Sequence, residues 1–555
     1  MPQRRNHWCV LLLLLVAGLQ LLSGCSDSTS PVEDESPEPS AVALELSAPT
    51  DSLAIGASSE WEATPRGAGG EALSRPVQWL TSDPEVADVT SNGRVTGRSE
   101  GQATITARSD GRDASATVHV MTGLGVIGSG GGSLGVEEGP VTVTVPAGAL
   151  AEDTRLVLRQ LRPDELPGDA IPGLSFTLEP GGHTPEMPFE VSLRFQSTQI
   201  PEGLDSRLLA IHDRTGGDWA ASASHRTDVD AGEAEAELLE TGAFGLFEAK
   251  EYWLATGGGD GPNFAISTNG LQWHPETEAL FTGAPQHLAT DGVNWIAARF
   301  RTVAMSAGAT GWSAVELPGP GIPSAQVLHH DGERWLLGAR DIGSNPPNPD
   351  VGLLESVNGM DWSAIPTPFE RGVTVIGNNG STLIVGGLAG PTGIVVSQNG
   401  GATWTEVDLP GNANASQVRW NGELWVLGVR RNSAPSSILT SADGMTWTPR
   451  DAPITTRVAD LAWNGELWVA VGSGDASIMS SPDGIVWTAH ASPFDGTSSP
   501  HFPAAVAAMG DRWVVVGSNL AGNFGIFATS TDGENWVSVD LPFTDRGVAV
   551  ETIRR

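Results

Sequence analysis

The chain has 555 residues, too many for one ordinary hydrophobic core, so several domains are expected. Its 69 Gly and 38 Pro, only 17% charged residues and no long amphipathic helical stretch favour many short strands joined by turns, an all-β chain. A formal charge of −36 argues against a nucleic-acid partner or direct adsorption to anionic lipid, because both surfaces repel such a chain.

Residues 1–25 read as a targeting segment, with Arg4 and Arg5 ahead of an apolar run that opens at Val10-Leu-Leu-Leu-Leu-Leu-Val16. The run is too short for a comfortable membrane span. It leads into Leu22-Ser-Gly-Cys25, which resembles a bacterial lipobox. That resemblance implies cleavage before Cys25, lipidation of its thiol and a membrane partner reached through the lipid. Ser26 in the next position resembles outer-membrane rather than inner-membrane sorting, so the expected location is extracytoplasmic, at the outer membrane or cell surface. Cys9 leaves with the signal, so no thiol remains for a disulfide or a thiolate metal site. Residues 26–40, SDSTSPVEDESPEPS, are acidic and rich in Pro and Ser, and read as a disordered tether.

Residues 41–120 alternate in strand fashion between turn signals. The run Trp79-Leu-Thr-Ser-Asp-Pro-Glu-Val-Ala-Asp-Val89, then Gly93-Arg-Val-Thr-Gly97 and Gly101-Gln-Ala-Thr-Ile-Thr-Ala107, closely resembles the group-two bacterial Ig-like domain. Trp79, Val86, Val89, Val95 and Ile105 are the expected sandwich core. Such domains usually act as stalk or adhesion modules.

Residues 121–250 open on a glycine-rich joint in which Gly123–Gly128 formally matches GxGxxG and Gly131–Gly135 formally matches GxSxG. Either match needs a strand leading into a helix to carry chemistry, and β-type sequence follows instead. The alternating Pro140-Val-Thr-Val-Thr-Val-Pro-Ala-Gly-Ala-Leu150, with Pro180-Gly-Gly182 and Trp219, resembles the β-sandwich domain of zonula occludens proteins, netrin receptors and ankyrins. That family serves interactions and joints, with no chemistry implied. His183, His212 and His225 lack metal-binding spacing, and no metal or cofactor is expected anywhere in the chain.

From residue 251 to 555 two elements alternate, and a period of about 40–50 residues signals a propeller or solenoid. One is a strand around tryptophan, as in Asn421-Gly-Glu-Leu-Trp-Val and Asn464-Gly-Glu-Leu-Trp-Val, where Asn-Gly signals a two-residue hairpin. The other is a heptapeptide: STNGLQW at 267–273, SVNGMDW at 356–362, SADGMTW at 441–447, SPDGIVW at 481–487 and STDGENW at 530–536. Ser397–Trp404 is one residue longer and Ser306–Trp312 is degenerate. Seven copies of each element resemble the bacterial neuraminidase repeat, or Asp-box, propellers, which implies seven blades. Asp443, Asp483 and Asp532 exchange with Asn269, Asn358 and Asn399, and Asn keeps the hydrogen-bond acceptor while losing acid, base and nucleophile chemistry. The position therefore reads as a structural turn.

Blade one lacks a clear first strand, whereas Arg546-Gly-Val-Ala-Val-Glu-Thr-Ile553 follows the last box and predicts a C-terminal strand that closes the ring. With strands lettered A to D, the A–B turns and Asp-boxes share one face, and the longer B–C and D–A connections share the other. Loops of the second face carry the binding candidates: Arg299, Arg340 and Arg430 after strand B, Asp350, and His490 and Asp495. Arginines over a hollow suit carboxylate-bearing sugars through bidentate pairing. Sialidases of this fold use three arginines, an acid and a tyrosine paired with glutamate. The one tyrosine here, Tyr252, lies inside a blade strand, and no carboxylate pair can be nominated from spacing. The leading expectation is an adhesion or binding protein whose propeller meets a glycan or protein on a sandwich stalk. A sialidase-like glycoside hydrolase and a purely structural lipoprotein are the alternatives.

Overall fold

The computed structural model describes residues 40–136, 139–168, 170–202, 204–214, 217–222, 224–258, 262–276, 280–308, 311–318, 323–341, 352–388, 391, 393–430, 436–494, 501–519, 525–540, 543 and 546–554. Cys25, the signal segment and nearly all of the tether lie outside the described residues. Apart from short 3-10 turns, every regular element among them is a β-strand. No helix there is long and apolar enough to cross a membrane.

The first sandwich pairs a four-stranded sheet containing Gly101–Ser109 and Arg112–Met121 with a three-stranded one containing Arg94–Gly97. Alternation puts Ala103, Ile105, Val118 and Val120 inside, around a fully buried Trp61. Val95 and Ile105 are core residues, while Trp79, Val86 and Val89 are only partly buried against it. Trp79 lies over Gly93, where an added Cβ would sit 2.8 Å from its ring. Trp61, which lies outside the stretch that carries the family resemblance, fills the centre of this core in place of Trp79.

The second sandwich stacks a six-stranded and a five-stranded sheet over a core that includes Val143, Leu158, Phe176, Phe189, Leu193 and Phe244. Gly123–Ile127 and Gly132–Gly135 are both strands in it, with no helix after either, so neither glycine motif has its phosphate-binding or nucleophile-elbow context. Glu100 joins the two sandwiches by accepting from the Thr122 hydroxyl at 2.6 Å and the Gln160 amide at 2.8 Å.

The remainder is a seven-bladed propeller of four-stranded antiparallel sheets. The B-strand tryptophans Trp253, Trp295, Trp335, Trp425, Trp468 and Trp513 are wholly buried between blades. Blade one consists of Glu251–Gly257, Phe264–Ser267 and His274–Pro275 plus the C-terminal strand Gly547–Arg554, which pairs antiparallel along Glu251–Gly257. The ring is closed by the strand that the repeat phase predicts.

The Asn-Gly A–B turns differ from the expected two-residue hairpins. Trp420 pairs with Trp425 and Trp463 with Trp468, so each loop holds four residues. Asn421 Oδ1 accepts from the amides of Glu423 and Leu424, and Asn464 Oδ1 from those of Glu466 and Leu467. The asparagine side chain thus satisfies two loop amides, which stabilises the longer turn.

The second sandwich docks on the box end of blade one. Gln272 exchanges two hydrogen bonds with the Thr227 backbone, at 2.9 and 2.7 Å. Arg207 bridges Asp205 and the buried Glu276. His225, 1% exposed, contacts the Ser222 carbonyl and the Thr268 hydroxyl, and burial holds its pKa down at about 4.

Candidate binding site

The innermost strands create the site. They are Gly547–Arg554 in blade one, His287–Thr290 in two, Pro323–His330 in three, Val373–Asn378 in four, Asn414–Trp420 in five, Arg457–Trp463 in six and His501–Met509 in seven. Neighbours in this series touch around the ring and enclose a central channel. All except the strand of blade two carry a β-bulge at matching register. The extra residues, Gln326, Thr374, Ser416, Ala459, Ala504 and Val548, all line the channel, as a bulge re-aims the residue it inserts. The resulting cavity measures about 770 Å³. The A-strand residues that line it run from strand starts to mid-strand, so it opens on the face of the B–C and D–A connections.

At that mouth Arg430 ends strand B of blade five and Arg457 begins strand A of blade six. The two are direct antiparallel partners, and both line the cavity. Burial lowers the pKa of Arg457, and repulsion from Arg430 lowers it further. Among the described residues neither has an ion-pair partner.

Of the other candidates, Arg299 donates to the Ala284 carbonyl at 2.8 Å and lies 4.9 Å over the Phe300 ring. Its pKa is lowered by burial and then by nearby Arg546, and the Nε atoms of both arginines are buried without a partner among the described residues. Arg340 is exposed and abuts Gly372, where an added Cβ would sit 2.7 Å from the Arg340 Cα. Neither Arg299 nor Arg340 lines the cavity. His490 does not join the arginines: strand Thr488–His490 is the outermost of blade six, where its ring meets the Ser480 hydroxyl at 2.7 Å. Asp350 and Asp495 lie outside the described residues. Of the six binding candidates, then, Arg430 alone is seen to line the cavity.

Deeper in the channel is a polar network absent from the sequence-based candidates. Asp460 Oδ1 accepts from Gln417 Nε2 at 2.7 Å and from the Leu461 amide, its Oδ2 accepts from the Val506 amide, and Arg419 stands 3.5 Å away. This carboxylate laces together the inner strands of blades five, six and seven. Glu551, from the closing strand, also lines the cavity, and burial pushes its pKa up to about 7. Their contacts come from other blades, so only a register anchored on the B-strand tryptophans points to them.

At the opposite end the Asp-boxes are internally satisfied. Asp443 Oδ1 accepts from the Ser441 hydroxyl at 2.9 Å and from the amides of Met445 and Thr446 at 2.8 and 2.7 Å. Those amides hold its pKa down at about 2. Asp483 and Asp532 repeat the pattern with their own amides, and both pKa values are lowered for the same reason. Asn358 and Asn269 accept the corresponding amides, and Asn399 reaches one residue further, to Thr403. Gly444 and Gly484 both have φ +72°, the left-handed region that glycine tolerates best. Each following tryptophan, Trp447 and Trp487, donates back to its box glycine carbonyl at 3.0 Å. Blade one adds a reason for Asn: Asn269 Nδ2 donates to the His225 carbonyl, which an ionised aspartate could not do.

A model of the bacterial Ig-like domain (group 2) matches residues 43–120. No curated protein matches the chain. Among solved structures, the nidogen/laminin complex aligns at 12% identity over 46% of this chain and 97% of that one, with a TM-score of 0.34. YCF48 bound to D1 peptide gives 12%, 49%, 87% and 0.36, and the RRP9 WD40 repeats give 11%, 48%, 83% and 0.38.

Proposed function

We propose that this chain is a lipid-anchored surface binding or adhesion protein whose propeller takes a carboxylate-bearing ligand at the channel mouth. The carrying observation is the Arg430–Arg457 pair, held in register beside a cavity of about 770 Å³ without a counter-charge among the described residues. Two like charges held together cost free energy that a bound anion repays through charge-assisted hydrogen bonds. The two sandwiches act as the stalk. Contact between the second sandwich and the box end of blade one supports a mouth directed away from the tether. Cys25 carries the lipid in this reading.

The sialidase-like alternative lacks its tyrosine nucleophile. Tyr252 is wholly buried, and its hydroxyl accepts from Trp295 Nε1 at 2.9 Å. The test is an array of acidic and neutral glycans and peptides, probed with wild type and the R430A/R457A double variant. Acidic ligands retained by wild type and lost by the variant support the reading. Equal retention by both contradicts it.

A further inference from the structure

The strand register places Glu551 in a defined layer of the channel. In each blade one inner-strand residue pairs with the residue that follows the B-strand tryptophan or its equivalent. These are Glu551, Ala289, His329, Gly377, Arg419, Ala462 and Ala507, in blade order. Four of the seven are Ala or Gly, so the layer has room. Its guanidinium is already engaged: Arg419 donates to Gln417 Oε1 at 2.7 Å and faces Asp460. Glu551 has no ion pair among the described residues, and its local support is the amide of Thr552.

Glu551 is flanked around the ring by Ala289 and Ala507, and Arg419, whose charge favours its ionised form, already faces Asp460, so the carboxylate gains from an entering cation. Arg457 pairs with Ser473, four B-strand residues beyond Val469, which marks the Glu551 layer. Four strand steps separate mouth and floor by roughly 13 Å.

We propose that Glu551 is the floor contact of the channel and takes a primary ammonium group. The ligand is then an elongated zwitterion, its carboxylate on Arg430 and Arg457 and its ammonium on Glu551, as a short extended peptide of about four residues provides. This rests on the reading of the mouth as a carboxylate seat, and the experiment separates the two.

The probes are tetraglycine, N-acetyl-tetraglycine and tetraglycine amide, titrated calorimetrically into the full chain, into E551Q and into R430A/R457A. Wild type should bind tetraglycine. Acetylation and E551Q should each weaken it roughly tenfold or more, and the two together no further than either alone. Amidation and R430A/R457A should form the matching pair for the mouth. Diglycine should bind more weakly than tetraglycine, since it cannot span both contacts.

Affinity should also fall from pH 7.5 to pH 6 as Glu551 takes up its proton. The charged groups acting on it are Arg419 and Asp460, while His329 in its layer and His287 in the cavity lining are both held down at about 4 by burial, so neither titrates in this range. Equal binding of the acetylated and free peptides, or no tetraglycine binding at millimolar concentration, overturns the proposal. Loss on amidation with indifference to acetylation removes Glu551 and leaves the mouth reading intact. The acetylated probe needs no variant, so a folding defect in E551Q does not blunt the test.

Discussion

The two ends of the propeller handle charge in opposite ways. At the box end each aspartate is saturated by its own turn, with hydroxyl and amide donors such as Ser441, Met445 and Thr446 around Asp443. At the mouth, Arg430 and Arg457 face each other without compensation among the described residues. Saturated charges hold a fold together and have nothing left to offer a ligand. Uncompensated charges weaken the fold slightly and bind whatever neutralises them.

Both ends depend on the closing strand, so its removal should have the largest effect. Deleting residues 546–555 removes the buried Val550 and Ile553 from the core, unpairs the inner edge of Glu251–Gly257 and strips Glu551 from the channel. The melting temperature should fall by more than about 10 °C, or the propeller should not fold. An unchanged melting curve would show that the ring does not need its closure.

Next comes the docked box end of blade one. Arg207→Ala leaves Glu276, 6% exposed, without its guanidinium. A loss of about 3 kcal/mol in denaturant unfolding is expected, and ligand binding at the mouth should be untouched. A loss below 0.5 kcal/mol would mean that the docking contact carries little.

The smallest effects sharpen the contrast at a free box. Asp443→Ala should cost about 1 kcal/mol by orphaning two turn amides, whereas Asp443→Asn should cost less than about 0.5. Because the folded pKa of Asp443 is depressed to about 2, its contribution is present above the unfolded value near 3.8 and fades as pH falls toward 2. The Asn variant should lose that acid-dependent component. Impaired ligand binding by Asp443→Asn would break the division between the two ends.

What was legible in the sequence was local. Asn-Gly turns, tryptophan strands and boxes each lie within a few residues, and counting them gives seven blades and the missing first strand. The fold followed from repetition. The channel did not, because its lining is set by bulges and by register between strands far apart in the chain. Arg457 matters through Arg430, which belongs to a different blade, and Glu551 through residues of six other blades in its layer. His490 stands apart from the arginines because the stretch after Trp487 opens with an outer strand rather than with the D–A loop. Asn269 also resisted explanation from sequence, since the carbonyl it contacts belongs to the preceding sandwich.

The most direct measurement is a thermal-shift titration of wild type and R430A/R457A with succinate, using sodium chloride at matched ionic strength as the control. Without succinate the double variant should melt at or slightly above wild type, because a repulsion has been removed. Succinate should raise the wild-type melting temperature progressively and leave the variant unmoved. The same rise in both proteins, or none in wild type beyond the salt control, would contradict the mouth as a carboxylate seat.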